Sequence, residues 1–281
     1  MSIFSQSDLE RLAAVYPQRP GKIGHGLVGH PLLTLEALVG LAARMDRKDV
    51  EYNAGDLPYG IDPAHVHANG LSPEETIRRI EDCGRWMVLK NVQKDPAYAE
   101  LLEEALGEAA RAIRPVTGEL LTKAAFVFVS SPGAVTPFHH DPEHNILLQI
   151  RGSKTMLIVP DEEDIVPAEK HESYHVGGHR NIVWRDEFEG RGEKYELTPG
   201  EALHVPVMWP HWVKNGPEPS VSLSITWKSR WVYEEADARG MNHLLRKAGL
   251  KPKAPAAFPK ANKGKAVAYR AIRKARSRVG I

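Results

Sequence analysis

The chain has 281 residues, enough for one large domain with a full hydrophobic core. Hydrophobic residues make up 42% and charged residues 26%, a composition typical of soluble globular proteins rather than fibrous or disordered chains. The apolar runs are far too short for a membrane span, and the N-terminus lacks the pattern of a signal peptide. The single cysteine, Cys83, excludes an intrachain disulfide and predicts a reducing, cytoplasmic location.

The net charge of +1 combines two regions of opposite charge. Residues 251–281 carry +10 and no acid, whereas the rest of the chain carries −9. An acidic body therefore ends in a basic tail. The tail has the pattern of an amphipathic cationic helix, which could bind nucleic acid or an anionic membrane surface. We favour the interpretation that the tail docks onto the protein's own acidic body. The tail could also pair with that of a second copy, which would give a homodimer through the C-terminal helices.

Residues 1–118 are predicted to be a mainly helical region that packs on the core. Apolar residues at helical spacing predict a helix in "HPLLTLEALVGLAARM". A second helix begins in "SPEETIRRIEDC", where Ser72 as N-cap and Glu75 form a capping box. "WMVLKN" predicts a short strand, and a third amphipathic helix runs from Asp95 to about Ile113.

Residues 119–231 have a β pattern and form the second predicted domain. Short segments rich in β-branched and aromatic residues alternate with Gly and Pro, which indicates a closed or double-layered antiparallel sheet. The predicted strands are "AAFVFVS", "NILLQI", "TMLIVP", "SYHV", "KYEL", "ALHVPV" and "VSLSITW". Helical periodicity returns in "YEEADARGMNHLLRKAGL", so residues 232–281 are predicted to be C-terminal helices that include the basic tail.

The segment "TPFHHDPEHN" contains the start of a metal-binding pattern. Residues i and i+2 of a strand point to the same face, so His139 and Asp141 would present an imidazole beside a carboxylate. These are two members of a 2-His-1-carboxylate triad, which binds Fe(II) and leaves one face open. Downstream, "PGEALHVPVMWPHWVKNG" offers His204 and His211 as the third ligand. We favour His211 because the tryptophans around it would keep water from an oxidising centre.

A lone H-x-D pair is weak evidence for a metal site, because such pairs lie more often on a surface or at a helix cap. Lys154 strengthens the prediction. Lys154 opens a predicted core strand directly after the Gly152-Ser153 hairpin. An amine buried there would be costly without an anionic partner. The lysine therefore either lies solvated at the edge of the hairpin or anchors a carboxylate inside the barrel.

The stretches "TPFHHDPEHNILLQIRGSKTMLIVP" and "PGEALHVPVMWPHWV" resemble JmjC-type, cupin-fold oxygenases that use Fe(II), 2-oxoglutarate and O2. The resemblance covers about residues 124–228. It is nearest to the branch that contains the asparaginyl hydroxylase acting on hypoxia-inducible factor, and to bacterial cupin-like relatives. It implies a mainly β fold with added α-helices: a double-stranded β-helix (jelly-roll or cupin) core between an N-terminal helical region and C-terminal helices.

The resemblance also implies roles for individual residues. The family's functional positions fall on His139, Asp141 and His211 for iron, on Lys154 and Thr136 for 2-oxoglutarate, and on Asn145 and Ser224 near them. Ser224 departs from the family, which has an asparagine at that position. The family tyrosine that touches 2-oxoglutarate has no clear match, because the strand "FVFV" carries Phe126 and Phe128 instead.

We therefore predict an Fe(II)- and 2-oxoglutarate-dependent dioxygenase that hydroxylates a protein side chain. Two alternatives stay open: an oxygenase of a small metabolite or lipid, and a non-enzymatic cupin-fold regulatory protein that uses the basic tail. Ordinary roles are expected for the other histidines. His140 should point away from Asp141, and His144 should be exposed. His171, His175 and His179 lie in a polar segment without the fixed spacing of metal ligands.

Overall fold

The computed structural model describes residues 2–54 and 70–278. The strands in these ranges are β1 (Gly21–Gly24), β2 (Val50–Ala54), β3 (Arg85–Lys90), β4 (Leu121–Ser130), β5 (Val135–His139), β6 (His144–Arg151), β7 (Lys154–Ile158), β8 (Glu193–Leu197), β9 (Glu201–Val205), β10 (His211–Asn215) and β11 (Ser220–Lys228). The α-helices are α1 (Gln6–Val15), α2 (Leu35–Arg44), α3 (Pro73–Arg78), α4 (Pro96–Thr117), α5 (Ala168–Tyr174), α6 (Arg230–Lys247) and α7 (Lys263–Arg278). None of these helices is both long and apolar enough to cross a membrane.

The strands form two antiparallel sheets that face each other. The larger sheet has the order β1-β9-β6-β11-β4-β3-β2, and the smaller sheet has the order β5-β10-β7-β8. Apolar side chains from both sheets fill the space between them, among them Leu147, Leu203, Met156, Ile158 and Val213. Two packed sheets with a shared interior confirm the predicted β core with added helices.

The helices α1 to α4 cover the outer face of the larger sheet. Side chains of β6 alternate between the two faces: Leu147 points between the sheets, whereas Ile146 and Leu148 pack with the helices. The helices bury apolar residues such as Leu12 and Leu106 in the same cluster. This double burial explains the nearly unbroken aliphatic run "NILLQI", because a strand buried on both faces needs no polar side.

The first 118 residues contain more strand than the sequence pattern predicts. β1 pairs with β9 and β2 pairs with β3, so both extend the edges of the larger sheet. Each has at most five residues, too few to show periodicity. The capped helices are confirmed: Ser72 and Glu75 form the capping box of α3, and Asp95 caps α4. α4 runs on to Thr117, past the predicted end near Ile113.

The segment "SYHV" is not a strand, contrary to the prediction. Its first two residues end helix α5, and a turn follows. His171 and Tyr174 lie three residues apart on α5, so they share one helix face. Both rings pack against His140, with centroids 5.1 Å away in each case. The aromatic composition of this segment therefore reflects burial against β5 and not β structure.

The basic tail docks on its own chain, as we favoured. α7 packs along α6, where Ala266 is buried and the Tyr269 ring lies directly over Gly240. A side chain at Gly240 would collide with that ring, so the glycine permits the close approach. Arg270 also forms an ion pair with Asp237 of α6. Homodimerisation through these helices and nucleic-acid binding by the tail stay predictions.

His144 is fully buried, which corrects the predicted exposed position. Strand alternation places it on the helix side of β6 with Ile146. Its ring stacks on Trp227 with centroids 5.3 Å apart, and its Nε2 lies 3.0 Å from the Ser229 hydroxyl. The His204 ring lies in the same layer, 5.3 Å from the ring of Tyr16.

These buried histidines should make the protein sensitive to acid. Burial lowers the pKa of His144 to about 3 and that of His204 to about 4. An unfolded histidine titrates at about 6.5, so the unfolded chain binds more protons as the pH falls below that value. Each histidine should then remove about 1.4 kcal/mol of stability per pH unit, until its folded pKa is reached.

Urea denaturation tests this prediction through the midpoint of unfolding, compared at about pH 7.5 and about pH 5.5. We expect a lower midpoint at the acidic pH. The double variant His144→Gln/His204→Gln should narrow the difference between the two midpoints. A wild-type midpoint that does not move with pH would contradict the prediction.

Candidate metal centre

His139, Asp141 and His211 meet at one end of the space between the sheets. His139 ends β5, His211 begins β10, and the two residues lie opposite each other in the antiparallel pair. Opposite residues point to the same side, so both rings face the interior. Asp141 follows in the turn that leads to β6. Its Oδ2 atom lies 3.7 Å from the Nε2 atom of each histidine.

Backbone carbonyls orient both histidine rings. Nδ1 of His139 lies 2.7 Å from the carbonyl oxygen of Pro137, and Nδ1 of His211 lies 3.0 Å from that of Trp209. A carbonyl can only accept, so Nδ1 carries a proton in each ring. Nε2 is therefore the atom of each ring that is placed to bind a metal, and both Nε2 atoms face the same oxygen of Asp141.

His211 and Asp141 also have the protonation states that a metal requires. Burial, and next the adjacent His139, lower the pKa of His211 to about 4, so its ring is neutral. Burial alone would raise the pKa of the Asp141 carboxyl, but His139 and Arg180 hold it well below its usual range. The centre thus presents neutral imidazole and a carboxylate at neutral pH.

This donor set fits a divalent transition metal. Two imidazoles and one carboxylate form the facial triad of Fe(II) oxygenases. Donors that share one metal at about 2.0–2.2 Å lie roughly 3–4 Å apart, and Asp141 Oδ2 lies 3.7 Å from each histidine Nε2. Within residues 2–54 and 70–278, this is the one group of three or more His, Cys, Asp or Glu residues whose ligand atoms all lie within 4.8 Å of one another.

The other histidines lie outside this group. His204, the alternative third ligand, faces the helices, and its Nδ1 lies 3.1 Å from the carbonyl oxygen of Asn145. His140 points away from Asp141, as strand alternation predicts, and stacks on His171. His171 Nε2 in turn lies 2.6 Å from the Asp161 carboxylate. His140 and His171 therefore pack the segment between β7 and β8 against the residue that directly follows β5.

Lys154 lies inside the barrel and not at a solvated edge. It begins β7, two residues before Met156, and it lies opposite Leu197 of β8. Both neighbours belong to the apolar layer between the sheets, and the lysine is only 5% exposed. Burial lowers the pKa of Lys154 to about 7, and no neighbouring acid in the described part of the chain opposes that effect. A buried amine without an anion fits a site for a carboxylate ligand.

Thr136 faces the same interior because of a β-bulge. It lies opposite Val213, while His139 lies opposite His211, and the register shifts between these two pairs. Thr136 and His139 lie three residues apart, and in a regular strand their side chains would point to opposite faces. The extra residue of a bulge brings both side chains to the same face. The bulge thus directs both Thr136 and His139 toward the interior between the sheets.

Asn145 and Ser224 lie on the larger sheet and contact each other. Asn145 lies opposite Val205, a residue of the interior layer, so its side chain also points between the sheets. The Ser224 hydroxyl donates to Asn145 Oδ1 at 2.7 Å. Ser224 therefore holds the amide of Asn145 in place.

The two tryptophans beside His211 have different surroundings. Trp212 is buried in the apolar cluster around Phe138 and Phe188, on the outer side of the smaller sheet. Trp209 packs partly against the interior layer. Its backbone carbonyl, and not its indole ring, provides the contact to His211.

Sequence reasoning missed Arg180 at this site. Its Nη1 atom donates to Asp141 Oδ1 at 3.0 Å, on the side of the carboxylate away from the histidines. The surrounding segment contains three histidines, a residue type that commonly binds metals. A single arginine in a polar loop has no sequence pattern that predicts a contact with Asp141. Only the position of this segment along β5 brings Arg180 to Asp141.

The family model of the cupin-like domain matches residues 63–231 of the chain. Jumonji C domain-containing protein 5 of Drosophila melanogaster is 31% identical over 109 residues, which is 34% of this chain and 25% of that protein. Lysine-specific demethylase JMJ30 of Arabidopsis thaliana is 31% identical over 113 residues, 38% of this chain and 25% of that protein. The matched part thus spans a quarter of each relative.

Solved structures of YcfD from Escherichia coli share the fold. One has a TM-score of 0.56 at 16% identity, covering 96% of this chain and 68% of that chain. Another, of YcfD as a ribosomal oxygenase with cobalt and 2-oxoglutarate, has a TM-score of 0.52 at 15% identity, covering 96% and 66%. Identities this low show the common fold alone.

Proposed function

This chain belongs to the cupin-like domain family, and we propose that it is an Fe(II)- and 2-oxoglutarate-dependent oxygenase. One observation carries the proposal: a single interior contains both the His139–Asp141–His211 group and the buried amine of Lys154. The first suits a metal ion, and the second suits a carboxylate that no residue in the described part of the chain supplies. A metal-chelating dicarboxylate accounts for both.

Charge balance supports this pairing. His139, Asp141 and His211 would hold Fe(II), while Lys154 and Thr136 would hold the carboxylate of 2-oxoglutarate remote from the metal. A dication, the Asp141 carboxylate, the 2-oxoglutarate dianion and the Lys154 ammonium together are neutral. A dry interior tolerates a neutral, paired set of charges and disfavours most subsets of it.

The bound metal and cosubstrate would supply the oxidation, in which one atom of O2 enters the substrate and the other enters succinate. The chain contributes placement and exclusion of water. The carbonyls of Pro137 and Trp209 keep both metal-binding Nε2 atoms aimed at one point. Apolar residues such as Met156 and Ile158 line the interior beside Lys154.

We propose a protein side chain as the substrate. The Asp141 side chain is 23% exposed and that of Arg180 is 35% exposed, so this edge of the centre is partly accessible from solvent. An open edge admits a projecting side chain more readily than a sealed cavity would. The names of two similar proteins, a lysine-specific demethylase and a ribosomal oxygenase, support the same class. The lone Cys83 favours a cytoplasmic location.

An anaerobic titration tests the oxygenase proposal. Fe(II) and then 2-oxoglutarate are added to the purified protein, and the visible metal-to-ligand charge-transfer band is recorded. We expect a band in the wild type and none in Asp141→Ala, because that variant lacks the anionic ligand. The thermal melting of both proteins is the control for folding. A folded wild type without a band would contradict the proposal.

The substrate class needs a separate experiment. The protein, with Fe(II), 2-oxoglutarate and O2, is incubated with fractionated cell extract, and mass spectrometry follows the oxygen content of proteins. We expect one protein to gain the mass of an oxygen atom, and the His211→Ala control to leave it unchanged. If only the small-molecule fraction stimulates succinate formation, the metabolite alternative replaces the protein substrate.

A further inference from the structure

We propose that Arg180 is a positioning residue of the metal centre, which holds the Asp141 carboxylate so that one oxygen stays directed at the metal. This inference rests on the proposed metal site. The two oxygens of Asp141 have separate partners: Oδ1 accepts from Arg180 Nη1 at 3.0 Å, and Oδ2 faces both histidines at 3.7 Å. A carboxylate without the first contact could rotate and offer either oxygen, or both.

The backbone around Arg180 fixes its place. The insert (residues 159–192) returns along β5, an edge strand of the smaller sheet. Ile182 N–H donates to the Phe138 carbonyl at 2.9 Å, and His139 forms an isolated bridge with Asn181. Strand-like pairing at these positions leaves Arg180 beside the residues that follow His139. The backbone of Arg180 is therefore held within side-chain reach of Asp141.

A second carboxylate limits the electrostatic cost of this arrangement. A guanidinium near a divalent cation would repel it, and an isolated Arg180 would thus oppose metal binding. Asp141 contacts the Arg180 guanidinium directly at 3.0 Å, and the carboxylate of Glu51 on β2 also interacts with it electrostatically. Glu51 itself lies 3.4 Å from Lys90, so it offsets only part of the Arg180 charge.

Residues that hold a metal ligand by hydrogen bonds typically change metal affinity by about 10- to 100-fold when they are replaced. We therefore expect Arg180→Gln to weaken Co(II) binding about 10- to 100-fold and to change the visible absorption spectrum of bound Co(II). Arg180→Lys keeps a charged donor and should restore part of the affinity. Isothermal titration calorimetry gives the affinity, and absorption reports the coordination geometry, without any turnover.

Arg191→Gln is the matched control. Arg191 lies in the same insert and forms ion pairs with Glu162 and Asp164, which also belong to it. Its loss should loosen the insert without touching Asp141, and Co(II) binding should stay as in the wild type. If Arg191→Gln weakens binding as much as Arg180→Gln does, folding of the insert and not the Arg180 contact is responsible, and the proposal fails.

Two further outcomes would overturn it. Co(II) binding by Arg180→Gln with wild-type affinity and spectrum would show that Asp141 needs no support. Tighter binding by Arg180→Gln would show that the arginine only repels the metal. If the wild type itself binds no Co(II), the metal site fails and this proposal fails with it. If instead the wild type binds Co(II) and only the Arg180 variants behave unexpectedly, the metal site stands and only the role of Arg180 is wrong.

Discussion

Lys154→Met should abolish most 2-oxoglutarate binding and leave metal binding intact. Removing one partner of a buried ion pair costs roughly 3–5 kcal/mol, which corresponds to about 100-fold or more in affinity. Methionine keeps an unbranched apolar stem of similar length, so packing against Met156 and Leu197 should survive. Calorimetric titration of 2-oxoglutarate into the Mn(II)-loaded protein measures the loss. A variant that binds 2-oxoglutarate normally would remove Lys154 from the site.

Lys154→Met should weaken 2-oxoglutarate binding but stabilise the ligand-free protein. The buried amine has no acid partner in the described part of the chain, so its burial opposes folding. Lys154→Met should therefore raise the melting temperature of the ligand-free protein while it weakens binding. Lys214→Met is the matched control, because Lys214 lies exposed on the neighbouring strand β10. That control should change neither quantity.

The same lysine predicts how binding depends on pH. Burial lowers the pKa of Lys154 to about 7, so above neutral pH the ligand-free protein holds this amine uncharged. Binding of a dianion restores the ammonium form, so it must take up a proton there. We expect 2-oxoglutarate affinity to fall as the pH rises above about 7. Calorimetry in buffers of different ionisation enthalpy should show the proton uptake in the wild type and not in Lys154→Met.

His211→Ala should lose metal affinity by more than the roughly 10- to 100-fold typical of a residue that only supports a ligand. The variant removes one of the three proposed ligands and leaves one imidazole and one carboxylate. Titration with Co(II), followed by calorimetry and visible absorption, measures both affinity and geometry. The substitution also opens a small cavity in a buried site, so thermal melting must accompany it.

His204→Ala is the control that separates ligation from burial. His204 is as buried as His211 and stands seven residues before it, but its ring faces the helices. Its loss should lower stability and leave Co(II) affinity unchanged. If His204→Ala instead abolishes binding and His211→Ala does not, the third ligand has been assigned to the wrong histidine.

Local sequence patterns were sufficient wherever neighbouring residues determine the structure. The capping box of Ser72 and Glu75 could be predicted because its two hydrogen bonds lie within one helical turn. His139 and Asp141 could be predicted as a pair of ligands because they lie only two residues apart, although Asp141 lies beyond the end of β5 and not within the strand. The strand predicted for "SYHV" from its composition was wrong, since burial against His140 and not pairing with a strand explains its tyrosine.

Tertiary structure decided every contact that depends on distant residues or on register. The choice of His211 over His204 follows from which face of each strand meets the interior, and a shift of one residue would reverse it. The burial of Lys154 depends on its position opposite Leu197, and the contact of Arg180 with Asp141 depends on the path of the insert along β5. The sequence by itself determined the β core, the capped helices and the chemical nature of the candidate ligands. The fold alone decided which of those side chains share one interior, because sheet register and a bulge set the direction in which each one points.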